Sequence, residues 1–318
     1  QAGGITPIMD AQIQIVAFRA ADPCQSHTWS VGTQTNISDG TFTLRGVPVG
    51  TASVYLNTSN MNQSNYVNEW WRNVGSTSDC ILAELLDVPG GGVSDLSFQL
   101  DLGGSVSGYV TDALENPIPN LWVHVNDSLC GNGQWFGGDE TDATGYYKIW
   151  GIPESDDVFV QTCANCWGLN WVDEWWDGVG NTGSIDCNGA APIPISPGID
   201  SDGIDFKLVL GETLTGRVTE TNGTTGIANV CVDVFADRCW SGHYRGTRTN
   251  SDGTFTISGI PPDDEVYVIA DGPCATLNYV IQWYGGGTDC NSAQPVTSDA
   301  TNVDFLLEAA GSISGHVQ

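Results

Sequence analysis

Three stretches of this chain repeat one pattern at nearly the same intervals, and that repetition constrains the fold more than any single motif does. Gly46-Val47-Pro48, Gly151-Ile152-Pro153 and Gly259-Ile260-Pro261 each follow a short alternating run opened by a turn. The runs are Asp39-Gly40-Thr41-Phe42-Thr43-Leu44, Thr144-Gly145-Tyr146-Tyr147-Lys148-Ile149 and Asp252-Gly253-Thr254-Phe255-Thr256-Ile257. At one common interval beyond each Pro comes a Trp that begins an aromatic pair: Trp70-Trp71, Trp175-Trp176 and Trp283-Tyr284. A cysteine follows at Cys80, Cys187 and Cys290, then an apolar strand around Phe98, Phe206 and Phe305. A fixed step further lies the Val of a Gly-containing strand, Val110, Val218 or Val317. A period of about a hundred residues has the size of a small domain, so the chain reads as a tandem array.

Within each copy the strands are short and alternate apolar with polar, as in Val106-Ser107-Gly108-Tyr109-Val110, Leu121-Trp122-Val123-His124-Val125 and Val266-Tyr267-Val268-Ile269. Forty Gly and fourteen Pro supply the turns between them. Such patterning predicts all-β, two-sheet antiparallel sandwiches with helices short or absent. The expected division is 1–102, a sandwich lacking its first strand; 103–210 and 211–310, two further sandwiches; and 311–318, the first strand of a next one. Leu100-Asp101-Leu102-Gly103-Gly104 runs straight into the following strand, so the copies should abut as a semi-rigid rod.

Gly104-Ser105-Val106-Ser107-Gly108-Tyr109-Val110, Pro117-Ile118-Pro119 before a strand, Thr141-Asp142-Ala143-Thr144-Gly145-Tyr146-Tyr147 and Gly151-Ile152-Pro153 together resemble carboxypeptidase regulatory-like domains. The resemblance covers all three copies. It implies transthyretin-like, seven-stranded sandwiches of prokaryotic surface proteins, an accessory or structural module with no activity of its own. The copies here are richer in Cys and Trp than that pattern.

The end of the chain matches its interior. Gly311-Ser312-Ile313-Ser314-Gly315-His316-Val317 follows Gly104–Val110 and Glu212–Val218, while residue 1 begins in the loop before Pro7-Ile8. Running from Val317 through Gln318 to Gln1 and on to Ile8 reproduces the interval from Val218 to Ile227. A sandwich without its first strand exposes an edge and an open core, and strand addition or covalent continuity with a neighbour covers both. The expectation is a structural subunit or repeat of an extracellular filament that joins itself head to tail. Ser312, Ile313, Ser314, Gly315, His316 and Val317 would form the polymerisation strand, completing a core beside Ile13 and Ile15. The competing expectation is an adhesin or carbohydrate-binding stalk, with Trp71 and Trp176 of the Glu-Trp-Trp motifs stacking on sugar.

Composition removes other classes. Thirty-eight acidic against nine basic residues give a net charge of −29, which repels nucleic acid and anionic membrane surfaces. No apolar run is long enough to span a bilayer, and the chain, opening at Gln1 without Met or a basic–apolar leader, is read as a mature or excised product. Ten cysteines point to an oxidising, extracellular setting. Equivalent positions predict the disulfides Cys24–Cys80, Cys130–Cys187 and Cys239–Cys290, leaving Cys163–Cys166 and Cys231–Cys274. Asn36, Asn57, Asn62, Asn126 and Asn222 head glycosylation sequons, with Asn57 and Asn62 placed in an expected surface loop over 57–65. No Ser/His/Asp or Cys/His ordering recurs across the copies, so neither an enzyme nor a cofactor is expected. Asp200-Ser201-Asp202-Gly203-Ile204-Asp205 and Ser251-Asp252-Gly253 read as hairpin corners before calcium loops, and no metal site is predicted.

Overall fold

The computed structural model describes residues 8, 13–19, 22–24, 29–59, 64–130, 133–179, 183–262, 264–285, 287–314 and 316. They form an all-β structure whose helical elements are single 3₁₀ turns such as Cys80–Leu82, Cys187–Gly189 and Cys290–Ser292. Each of these three is capped by an Asp side chain accepting from a backbone N–H. Among the described residues no helix is long and apolar enough to cross a membrane.

The strands fall into three groups along the chain. In the second group, Gly104–Asp112 lies between Tyr146–Ile152, antiparallel to it, and Phe206–Leu208, parallel to it. The facing sheet carries Trp135–Glu140, Trp122–Asn126, Ser155–Cys163, Trp175–Trp176 and Gly183–Ser184 in that order. The third group repeats this arrangement: Glu212–Glu220 lies between Thr254–Ile260 and Phe305–Leu307, opposite a sheet built on Cys231–Phe235 and Glu265–Asp271. Period-two alternation packs the two sheets together. Val106, Val110, Val123, Val125, Val158 and Val160 are fully buried in one core; Leu214, Val218, Val232, Val234, Val266 and Val268 fill the other.

Glycine in the middle of the first strand is a steric requirement. A Cβ at Gly108 would sit 2.0 Å from the Ile204 carbonyl oxygen, and one at Gly216 would sit 2.1 Å from that of Val303. The neighbouring backbone therefore passes where a side chain would otherwise stand.

The first group has the facing sheet of the other two but no counterpart of their other sheet among the described residues. Trp29–Gln34, Gln14–Arg19, Gly50–Ser59, Trp70–Trp71 and Ser76–Thr77 form one sheet in that order, with Leu86–Val88 also paired to Gly50–Ser59. The expected strands over 41–44 and around Phe98 have no strand structure. The cause is local: their counterparts, Tyr146–Ile152 and Phe206–Leu208, both pair with Gly104–Asp112, and no described segment occupies that central place in the first group. A strand with no ladder partner on that side leaves its backbone groups unpaired.

Five disulfides are present, Cys24–Cys80, Cys130–Cys187, Cys163–Cys166, Cys231–Cys274 and Cys239–Cys290, and none of the ten cysteines is free. Cys24–Cys80, Cys130–Cys187 and Cys239–Cys290 join equivalent positions of the copies, and Cys163–Cys166 and Cys231–Cys274 are the two pairs left over. In each group one bridge ties the loop after the second strand to the 3₁₀ turn beyond the aromatic pair.

Candidate functional site

The vacant central place in the first group is a groove of about 1160 Å³ lined by both faces of an unfinished sandwich. Ile13, Ile15, Val54 and Leu56 form its floor, while Phe42 and Leu44 on one side and Leu96 and Phe98 on the other form its walls. The counterparts of these wall residues are buried in the other two groups, among them Tyr147, Ile149, Ile204 and Phe206, and Phe255, Ile257, Val303 and Phe305. In the first group all four wall residues are only half-buried. The difference matches the side chains that fill the other two cores at this point, Val106 with Val110 and Leu214 with Val218.

At the far end of the chain, residues 311–314 and 316 carry no regular structure and are exposed, and Ile313 is completely open to solvent. Gly315 and Val317 of the expected polymerisation strand lie outside the described residues. The segment bears the pattern of Gly104–Asp112, and Gly315 stands at the position of Gly108 and Gly216. The structure thus holds a groove with an apolar floor and walls, through which no described strand runs, and an exposed segment with the pattern of the strand that fills the other two cores.

Two joints connect successive groups, and both use one device. Asn65 accepts from the Gly103 N–H through its backbone carbonyl and reaches the Gly151 N–H through Oδ1 at 3.4 Å. Asn170 does the same with Gly211 and, at 2.6 Å, with Gly259. Gly151 and Gly259 have φ of 70° and 76°, a left-handed conformation in which the N–H is turned toward the preceding group. The second joint adds a buried ion pair: the Arg245 guanidinium lies 2.6 Å from Asp173 and also donates to the carbonyls of Trp171 and Ser258. Burial pushes the Asp173 carboxyl up, and the neighbouring guanidinium opposes that push. Sequence reading missed this pair. The repeat does not reveal it, because Arg245 faces Val234 at the register position where Val31 faces Ala17 and Gly137 faces Val125, and its partner lies in the preceding group.

The sugar-stacking expectation needs correction. Trp71 is buried in the first core and Trp176 is half-buried against the second, so the aromatic pairs are packing elements and not exposed platforms. The exposed indoles are Trp135, Trp167 and Trp240, none of them in the repeated pairs. The Glu of each Glu-Trp-Trp motif is buried too. Glu69 accepts from the Asp101 N–H, whereas burial, with Asp177 and Asp173 nearby, pushes the Glu174 carboxyl up to about 7.

The sequons separate by exposure. Asn36 and Asn222 occupy exposed turns and cap them through their own side chains. Asn57 is not in a loop: it sits in Gly50–Ser59, paired on both sides with Val16 and Trp70, because Val54, Leu56 and Thr58 alternate into the core around it. Asn126 is buried at the end of Trp122–Asn126. Asn62 lies outside the described residues. The Asp-rich corners are occupied by protein donors: Asp200 holds Lys148, Ser105 and Ser107, and Asp252 holds Thr254. Among the described residues no cluster of His, Cys, Asp and Glu is arranged to hold a metal ion.

No protein-family profile and no curated protein matches the chain. Among solved structures, it is similar to the Bacillus anthracis TIE protein, at 12% identity over 95% of this chain and 48% of that one, with a TM-score of 0.25. It is also similar to a streptococcal ancillary pilin (10% identity, 96% and 94% of the two chains, TM-score 0.25). A third is the shaft pilin SpaA of Lactobacillus rhamnosus GG (10% identity, 67% and 99%, TM-score 0.25). The chain spans about half the length of the TIE protein. Likenesses at this level carry no argument about function.

Proposed function

We propose that this protein is a structural subunit or repeat of an extracellular filament, joined head to tail by a strand that completes the first sandwich. The units are 1–102, 103–210 and 211–310, each a transthyretin-like sandwich, with 311–318 supplying the first strand of the next. The observation that carries this reading is the groove. Its walls are only half-buried at the place where the other two cores hold an apolar, Gly-containing strand, no described segment fills that place, and the exposed end of the chain repeats that strand's pattern.

The same groove is filled whether separate chains donate the strand or one continuous polypeptide runs through it. A contact between unlike surfaces at the two ends does not close on itself and propagates as a fibre. Five disulfides fit an oxidising location outside the cytosol. The sugar-binding alternative loses its basis in the aromatic pairs, since Trp71 is buried.

The test is assembly of the 318-residue chain, followed by sedimentation and electron microscopy. The expected result is linear, end-to-end polymers that disappear when 311–318 is removed and that a synthetic 311–318 peptide inhibits. Chains that remain monomeric at high concentration and bind no such peptide would refute the proposal.

A further inference from the structure

The groove accounts for one strand, but the third group ends in a second surface. Asn278 matches Asn65 and Asn170: its carbonyl accepts from the Ala310 N–H, and its Nδ2 donates back to the Ala310 carbonyl. Its Oδ1, the atom that reaches the next unit's Gly in both internal joints, has no partner among the described residues. Asn278 is exposed, whereas Asn65 and Asn170 are half-buried. The matching receptor is in the first group. Gly46 has φ 79°, close to Gly151 and Gly259, yet it is exposed where those two are buried.

The side chains beside this contact match as well. The position of Asp173 is Ile281 in the third group, and the position of Arg245 is Val31 in the first. Where the second joint sets an acid against a base, the end of the third group and the face of the first set apolar against apolar. Both residues are half-buried within the single chain.

Resting on the head-to-tail reading, we propose that Asn278 and Ile281 form a docking surface that seats on Gly46 and Val31 of the next copy. The joint between copies is then a fixed clip like the internal ones, and not a strand on a loose tether. It differs from them in one respect. Ala310 stands where Gly103 and Gly211 do, and a Cβ at those glycines would come within 2.7 Å and 2.3 Å of the following unit's backbone. To bring its methyl to 3.0 Å, Ala310 needs that backbone about 0.3 to 0.7 Å further off than in the internal joints, a shift the joint between copies must absorb.

The experiment uses the full chain. In assembled wild-type protein the Gly46 amide exchanges slowly with solvent. It exchanges fast in free chains and in chains whose groove holds a synthetic 311–318 peptide, because the peptide does not bring the third unit's end with it. Asn278→Leu raises the concentration for half-assembly about tenfold, the worth of one hydrogen bond, and leaves peptide binding unchanged. Ile281→Asp and Val31→Arg each weaken assembly, and the two together recover most of it by rebuilding the pair seen at Asp173 and Arg245. Equal exchange at Gly46 in fibres and free chains, or wild-type assembly by Asn278→Leu, overturns the clip. A double variant no better than its parents overturns the Ile281–Val31 contact. A peptide that does not enter the groove, with assembly indifferent to loss of 311–318, overturns the strand reading itself.

Discussion

Gly315→Ala tests the groove with the smallest possible perturbation, a single methyl. In the second and third units, a Cβ at the equivalent glycine would lie 2.0 Å and 2.1 Å from a backbone carbonyl oxygen, where real Cβ contacts stay beyond 3.0 Å. The facing backbone must therefore retreat by about 1 Å. The bonds that hold it there are Ile204 N–H to the Ser107 carbonyl at 3.1 Å in one unit and Val303 N–H to the Thr215 carbonyl at 3.0 Å in the other. Losing or badly stretching about two such bonds costs roughly 2–3 kcal/mol. Burial of Ile313 and Val317 in the proposed junction would contribute roughly 3–6 kcal/mol before entropy, so the methyl would remove a large share of the driving force. Assembly followed by light scattering should then need about 30- to 150-fold more protein. Gly216→Ala supplies the scale, since it meets the same obstacle inside one chain and should lower unfolding free energy by a similar amount in a denaturant titration. If Gly216→Ala destabilises the third unit while Gly315→Ala assembles like wild type, the 311–317 segment does not run through the groove in this register.

Three further outcomes follow from the packing. Glu174 is buried with its carboxyl raised from 4.5 to about 7, so its contribution to stability is complete below pH ~4.5 and is lost as pH rises through about 7. That loss is worth roughly 3 kcal/mol. Glu174→Gln, which copies Gln282 of the third unit, should flatten the dependence in denaturation midpoints taken from pH 4.5 to 8, and an unchanged slope would count against the buried charge. Opening Cys24–Cys80, which spans 56 residues, should cost about 4 kcal/mol by releasing the unfolded chain. The first unit, with its core open, should then melt before the other two in calorimetry of Cys24→Ser/Cys80→Ser, and a single unshifted transition would contradict this. In a host that glycosylates sequons, mass spectrometry should find sugar at Asn36 and Asn222 and bare Asn57 and Asn126. Occupancy at Asn126 would mean that its strand end opens.

Features required by every copy could be read from the sequence, and features that a single copy alters could not. The positions of Val110, Phe206 and Gly108 recur because a strand between two neighbours needs apolar side chains on its core face and no side chain where the next backbone crosses. Equivalent cysteines fall at equivalent loop ends, so position paired three bridges, and the other two followed as the remainder. The aromatic pairs failed this logic: the buried member is Trp71 in the first unit but Trp175 in the second, an offset that composition does not reveal. The polar neighbours of Asn57 point to a loop, although Val54, Leu56 and Thr58 keep strict period two through it. The joints lie in the departures from the repeat. Arg245, Gly137 and Val31 share one register, and Asp173, Asn68 and Ile281 share the place that faces it. Within a single sandwich nothing marks these residues as joint positions: Val31 packs against the first core, Ile281 against the cluster of Phe235, Ile269 and Trp283, and Arg245 is buried. They acquire meaning only in pairs taken from successive units, with charge facing charge at one joint and apolar side chains matched for the next. Asp173 meets Arg245 across the second joint, and Ile281 with Val31 is the pair that the proposed joint between copies would set in their place.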